Sequence, residues 1–375
     1  MKITHKNSIS LINKSSWDAI TSNDNPFQDY DWLLHLENTR CTHKDTGWEP
    51  VYFTLTENDE LKAAIIAYKK HHSYGEFIFD WQWAQSYYQA GINYYPKLVL
   101  ASAFTPAGNR RLLNKEHSNP IYTQKLLDYV IEFAKEENLS SIHSLFCPKQ
   151  ELIDYNQKGF ITRYSYQFHF KNNNFSEFND YLNALKSQKR KSIKKERQSL
   201  KHQNIQCNSL TGNEITTETL DYVWQCYQNT IYEKSSTAYL NKPFFLTLPE
   251  SIKQKALIII AKHNNSDCAC TFNLFDNNTL YGRYWGATHP IKFLHFECSL
   301  YQLIKWAIKN NLKKVEAGAQ GEHKFLRGFE PSYTYSAHLM LRKDAQNMVK
   351  EFTTIEKKHI DSHLDYYKKK SPFKD

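Results

Sequence analysis

The sequence predicts an α+β protein of two similar domains, each a mixed, mostly antiparallel sheet flanked by helices, with a basic helix between them. Two observations carry the prediction. A hairpin, an aromatic strand, a helix and a further strand occur in that order twice, about 200 residues apart. Hydrophobic residues make up 41% and aromatic residues 15% of the 375, enough to fill cores of ordinary size. The expected boundaries are 1–170 for the first domain, 171–345 for the second beginning with the basic helix, and 346–375 for a C-terminal helix and basic tail.

In the first half, residues 50–68 place two apolar runs around the polar turn E-N-D-E, which predicts a hairpin. Aromatic residues at 77–83 and apolar ones at 97–104 predict two more strands. Asn119 followed by Pro120 reads as an N-cap with proline in the first turn. The helix it opens carries Leu126, Leu127, Val130, Ile131 and Phe133. A strand is expected at 141–146, then a short helix from 151 closed by Gly159. Residues 175–203 read as one long helix.

In the second half, A-L-I-I-I-A and C-A-C-T-F-N-L-F flank the turn H-N-N-S-D and predict a second hairpin. The aromatic strand 280–286 follows. A helix over 295–310 carries the apolar stripe Leu300, Leu303, Ile304, Ala307 and Ile308. K-K-V-E-A then ends a strand and runs into E-A-G-A-Q-G-E-H-K-F-L-R-G-F, which holds three of the chain's 11 glycines.

No apolar run approaches a membrane span, and the N-terminal residues lack a signal-like apolar region. Seven cysteines without framework spacing fit a reducing cytoplasm. Cys268 and Cys270 read as alternate strand residues, so no metal site is expected. Of the net charge of +9, residues 186–201 contribute +7 and residues 368–375 contribute +3. A polyanionic partner would therefore be felt at one helix and the tail.

In that helix Leu182, Leu185, Ile193 and Leu200 form an apolar stripe, while Arg190, Lys194, Arg197 and Lys201 line another face. Like charges at this spacing repel by a few tenths of a kcal/mol per pair. The row is either a solvated face or a seat for phosphates, with Lys191 beside it. Asp80, between Phe79 and Trp81, reads as a strand residue that is either solvated or a ligand contact. F-T-P-A-G-N-R-R joins a glycine to Arg110 and Arg111, as an anion loop or a plain turn. Glu297 aligns with the apolar stripe of its helix, at its edge or buried with a partner. His295 reads as a helix-start residue. Glu316 lies at the carboxyl end of a strand, where open sheets place ligands. Gly318 and Gly321 permit a tight turn, and Glu322, His323 and Lys324 then either supply a base, an acid and an anion partner in one loop or are the solvated charges of a plain glycine turn.

The stretches H-S-Y-G-E-F-I-F-D-W-Q-W-A, Y-Y-P-K-L-V-L-A-S-A-F-T-P-A-G-N-R-R-L-L, R-K-S-I-K-K-E-R, G-R-Y-W-G-A, H-F-E and E-A-G-A-Q-G-E-H-K-F-L-R-G-F together resemble the FemAB-like branch of the GNAT acyltransferase superfamily, over about residues 25–341. The resemblance implies tandem GNAT-like domains and transfer of an acyl or aminoacyl group to an amine, such as that of a peptidoglycan precursor. It implies no tightly bound cofactor, the donor being a co-substrate, aminoacyl-tRNA or acyl-CoA. The glycine-rich pyrophosphate loop of acetyl-CoA-dependent GNAT enzymes is not matched, since A-T-H-P-I-K-F-L-H-F-E has no glycine. On this reading Glu316, Glu322 or His323 handles the proton, with Glu297 supporting. Asp80, Trp81, Arg283, Tyr284, Trp285, Gln320, Gly321 and Lys324 contact the substrate in a pocket between the domains. Arg190, Lys191, Lys194, Arg197, Arg327 and Arg110 hold donor phosphates, from tRNA if that is the donor. The alternative is a non-catalytic GNAT-like binding protein for cell-wall fragments or for a phosphate-rich or nucleic-acid ligand.

Overall fold

The computed structural model describes residues 1–21, 25–114, 120–319 and 321–374. The chain divides into two compact units, residues 1–166 with 333–363, and residues 167–332 with 364–375. Two expected features, Asn119 as a helix cap and Gln320 as a substrate contact, lie outside the described residues.

The first unit contains β1 (Lys2–Lys6), β2 (Trp48–Glu57), β3 (Glu60–Lys70), β4 (Lys97–Leu100), β5 (Leu113–Asn114) and β6 (Ser141–Cys147); β7 (Ile161–Lys171) leads out of it. β2 and β3 are the hairpin read at residues 50–68, turned by Asn58 and Asp59 with positive φ. β4 pairs antiparallel with β3 and parallel with β6, and the helix Pro120–Glu136 makes the crossover. That helix buries Leu126, Leu127 and Val130 against Phe53, Ile65 and Ile142. Burying each such side chain is worth about 1.5–3 kcal/mol.

The second unit contains β8 (Ile205–Thr211), β9 (Ala256–His263), β10 (Ser266–Phe275), β11 (Thr279–Ala287) and β12 (Lys314–Glu316), after which β13 (Glu330–Met340) returns to the first. Its strand order is β7-β12-β11-β10-β9-β8. β9 and β10 form the second hairpin, β10 pairs antiparallel with β11, and β11 runs parallel to β12. The crossover is a helical segment, 294–309, whose turn Glu297–Tyr301 is π-helical. Its predicted stripe Leu300, Leu303, Ile304, Ala307 and Ile308 is buried throughout. Each unit thus repeats hairpin, third antiparallel strand, crossover helix and parallel strand.

Three expectations are corrected. Residues 77–83 are not a strand: Phe77 has φ +60°, and Asp80 precedes a helix, Trp81–Gln89, that buries Trp83 and Tyr87 one turn apart. The long helix at 175–203 is two helices, Phe178–Ala184 and Ser187–His202. Leu185, extended and fully buried, breaks it by bridging to Phe373. Residues 333–345, read as part of the second domain, belong to the first unit because β13 pairs antiparallel with β6. Among the described residues no helix is long and apolar enough to cross a membrane.

Candidate active site

In the second unit β12 ends at Glu316, which is buried and lies between His169 on β7 and Tyr281 on β11. One carboxylate oxygen accepts a hydrogen bond from Lys314 at 2.5 Å; the other is buried with no hydrogen-bond partner among the described residues. His169 faces it with its pKa pushed down to about 4, chiefly by burial, and is uncharged at neutral pH. Beyond Glu316 the backbone turns through Gly318 (φ +83°) and Gly321 (φ +114°), a region that disfavours other residues. A Cβ at Gly321 would also meet the His323 ring at 2.5 Å. The glycine-rich turn predicted from the sequence is therefore required by the backbone.

The turn delivers Lys324, buried, whose Nζ donates to the Gly318 carbonyl at 3.1 Å. Burial, with the nearby charges of Arg283 and Lys234, lowers its pKa from 10.5 to about 8. His323 is half-buried, its ring 5.4 Å from Phe296 and 5.8 Å from His295, and its Nε2 has no partner among the described residues. Burial and the charges of Lys324 and Arg327 lower its pKa. His295 is lowered to about 4 by burial and the same cationic surroundings, and its ring packs 5.2 Å from Trp285. Glu322 is exposed.

Arg327 anchors the end of the loop. It donates to Glu196 at 2.7 Å and 3.3 Å, to the Tyr301 hydroxyl at 2.8 Å and to the His323 carbonyl at 2.9 Å, with its guanidinium 3.5 Å from the Phe296 ring centroid. Tyr301 also donates to Glu196. Glu196, the single acid of the basic helix, points into the core because it follows the buried Ile193 by three residues and precedes Leu200 by four. Next to it Arg197 makes a bidentate pair with Glu297, at 3.0 Å for each best contact, and Gln302 donates to Glu297 at 2.6 Å. Two of the residues expected to hold phosphate, Arg197 and Arg327, are thus engaged by carboxylates of the same unit. Lys191 and Lys194 are exposed, and Arg190 reaches the Leu185 carbonyl only at 3.5 Å.

On β11, Arg283 lies 5.4 Å from the Tyr284 ring, and burial lowers its pKa. Tyr284 packs among Tyr227, Phe245 and Phe272, in the aromatic core beneath the helix Thr217–Glu233. Gly286, in the motif G-R-Y-W-G, serves packing: any Cβ there would overlap the Cys226 carbonyl of that helix.

Asp80 and Trp81 belong to the first unit, as does Arg110. Asp80 is not on a sheet surface. It is buried against Lys97, which also donates to Glu76 at 2.8 Å and to Ser73 at 2.8 Å, and Tyr94 donates to Asp80 at 2.6 Å. Asp80 is held below the usual carboxylate range because Lys97 outweighs its burial. Glu76, more strongly desolvated, is pushed up to about 7. Trp81 is exposed, its ring 5.5 Å from Tyr74. Arg110 donates to the Asn114 carbonyl at 3.4 Å. Its neighbour Arg111 is buried on the carbonyls of Leu145 and Ala107, so this loop is clamped by its second arginine.

Among the residues the sequence missed are His169, Lys314, Glu196, Tyr301 and Lys234 in the second unit and Lys97 in the first. Only Glu196 left a signal, a carboxylate in register with an apolar stripe.

No curated protein matches the chain in sequence. Among solved structures it is similar to FemX (12% identity, TM-score 0.57, covering 93% of this chain and 100% of that one). It is also similar to the C-terminal domain of a putative lysylphosphatidylglycerol synthetase from Agrobacterium fabrum (9%, 0.55, 91% and 96%). A third similar structure is L-PGS from Bacillus licheniformis (12%, 0.50, 84% and 94%). At these identities the likeness shows a shared mixed α/β fold. The peptidoglycan biosynthesis/recognition family matches residues 8–375, and the chain belongs to this FemAB-like family.

Proposed function

We propose that the chain is an acyl- or aminoacyltransferase that moves an acyl group from an activated ester or thioester to an amine, built as a tandem pair of GNAT-like domains. The observation that carries the reading is the loop after β12. There a buried lysine of lowered pKa and a carboxylate with one oxygen unpartnered among the described residues flank a left-handed glycine turn. Family membership and the FemX-like fold support the transferase class, and the repeated strand order supports the tandem arrangement.

In the proposed reaction the amine nitrogen attacks the acyl carbonyl, forming the C–N bond. The Lys324 ammonium stabilises the developing oxyanion. The carbonyl then re-forms and the C–O or C–S bond breaks, the departing oxygen or sulfur taking a proton. Glu316 accepts the proton that the amine loses, with His323 or the exposed Glu322 as the relay to solvent. Arg327, fixed by Glu196 and Tyr301, holds the loop in place. Glu297 plays its supporting part by fixing Arg197. The acceptor is a peptidoglycan-precursor amine contacted by Arg283 and Trp285. Donor phosphates from tRNA or coenzyme A fall to Arg190, Lys191 and Lys194.

Incubating the protein with aminoacyl-tRNA or acyl-CoA and precursor peptides bearing a free amine tests this by mass spectrometry of the acceptor. A mass gain equal to the acyl group supports it. Binding of both partners with no gain assigns the chain to recognition instead.

A further inference from the structure

Five of the seven cysteines, Cys207, Cys226, Cys268, Cys270 and Cys298, fall in the second unit, and none is in a disulfide. Two approach each other across the fold: Cys207 Sγ lies 3.9 Å from Cys298 Sγ. Cys207 is half-buried on β8, the last strand in the order of its unit, paired only through β9. Cys298 is fully buried, in the π-helical turn, directly after Glu297.

We propose that Cys207 and Cys298 are a redox-active dithiol that closes to a reversible disulfide when Cys207 meets a peroxide. Cys207, half-buried where Cys298 is fully buried, is the member of the pair nearer solvent. Cys298 is the resolving thiol, already in contact. Its hydrogen bond to Cys207 and its burial push its pKa well above the ordinary thiol range, so it stays a thiol until Cys207 is oxidised and gives up its proton as the S–S bond forms. Closing to a normal S–S length requires the sulfurs to approach by about 1.9 Å. An edge strand on one side and a wide helical turn on the other are the elements able to give. Of the other thiols of this unit, Cys268 donates to the Ala261 carbonyl at 3.4 Å, and Cys226 and Cys270 share a hydrogen bond.

The chemistry balances. The Cys207 thiolate attacks one oxygen of hydrogen peroxide, giving a sulfenic acid and hydroxide, which leaves as water after protonation. The Cys298 sulfur then attacks the sulfenic sulfur, the S–S bond forms, and a second water departs. Two electrons pass from the thiols to the peroxide, and an external dithiol returns them. Because Cys298 adjoins Glu297, closure pulls on the carboxylate that holds Arg197 of the basic helix.

The test treats the full-length protein with a few equivalents of hydrogen peroxide, alkylates the remaining thiols, and maps peptides by mass spectrometry with and without dithiothreitol. The expected result is a peptide pair joining Cys207 to Cys298, two hydrogens lighter than the sum and lost on reduction. Cys207→Ser should leave Cys298 alkylated, and Cys298→Ser should leave Cys207 as a sulfenic or sulfinic acid. The proposal is overturned if oxidised wild type shows Cys298 fully alkylated, or if Cys207 links to Cys268 instead. The wild-type map decides even if a serine variant fails to fold.

Discussion

Replacing Glu196 by leucine probes the clamp that fixes the loop carrying His323 and Lys324. The Glu196 and Arg327 side chains retain only 12% and 10% of their exposure, and Arg327 makes two of its four polar bonds to this carboxylate. Glu196→Leu leaves the guanidinium buried with the Tyr301 hydroxyl, one carbonyl and the Phe296 face. Removing one partner of a buried pair costs about 3–5 kcal/mol, and the residual exposure here argues for the lower end. For a unit of this size about 3 kcal/mol is a drop of roughly 6–12 °C in melting temperature. Calorimetry is the assay, because two units can melt in separate steps. The double variant Glu196→Leu, Arg327→Met removes both charges and should recover much of the loss, giving a coupling energy of about 1–3 kcal/mol. A single-variant drop below about 2 °C, or strictly additive losses, would show that Glu196 does not hold Arg327 in place.

In the first unit Lys97→Met strips Glu76 and Asp80 of their shared cation. It should lower stability by about 3–5 kcal/mol, measured by urea denaturation, with Asp80→Asn added back recovering part of it. Lys324 is charged below about pH 8 and neutral above, so the transfer rate should fall as pH rises through about 8, and Lys324→Arg should flatten that limb of the pH–rate profile. The stability linkage has the opposite slope. The unfolded lysine keeps its proton to about pH 10.4 while the folded one releases it near 8, so between these values the unfolded state binds more protons and stability rises with pH. Converting Arg190, Lys191 and Lys194 to glutamine should weaken binding of a single-stranded polyanion. The slope of log K against log salt should fall by up to about 2, as read by fluorescence titration.

Much of the framework was legible because it is written in local periodicity. Both hairpins, both crossover helices and the strand ending at Glu316 follow from alternation, apolar stripes and turn residues within a few positions. What was illegible depends on distant partners. The aromatic run at 77–83 mimics a strand, and only the burial of Trp83 and Tyr87 at helical spacing shows that the chain turns there. Leu185 breaks a sequence with no glycine or proline because Phe373 captures it. β13 joins the first unit through pairs such as Met340 with Ser141, which no local pattern announces. At the site, the glycine turn and its ionisable residues were readable from the motif itself. The pairing of Arg197 and Arg327 was not, because their carboxylates come from elsewhere in the chain, and a row of cations without its partners reads as free.

The most direct measurement of the central claim is the single-turnover rate of acyl transfer to a precursor amine by wild type and by Lys324→Met, with melting curves showing that both are folded. Wild type should transfer the group and the variant should lose about 10²–10³-fold at pH 7, where Lys324 is charged. Equal rates in the two proteins would contradict that claim and move the transfer centre away from the loop after β12.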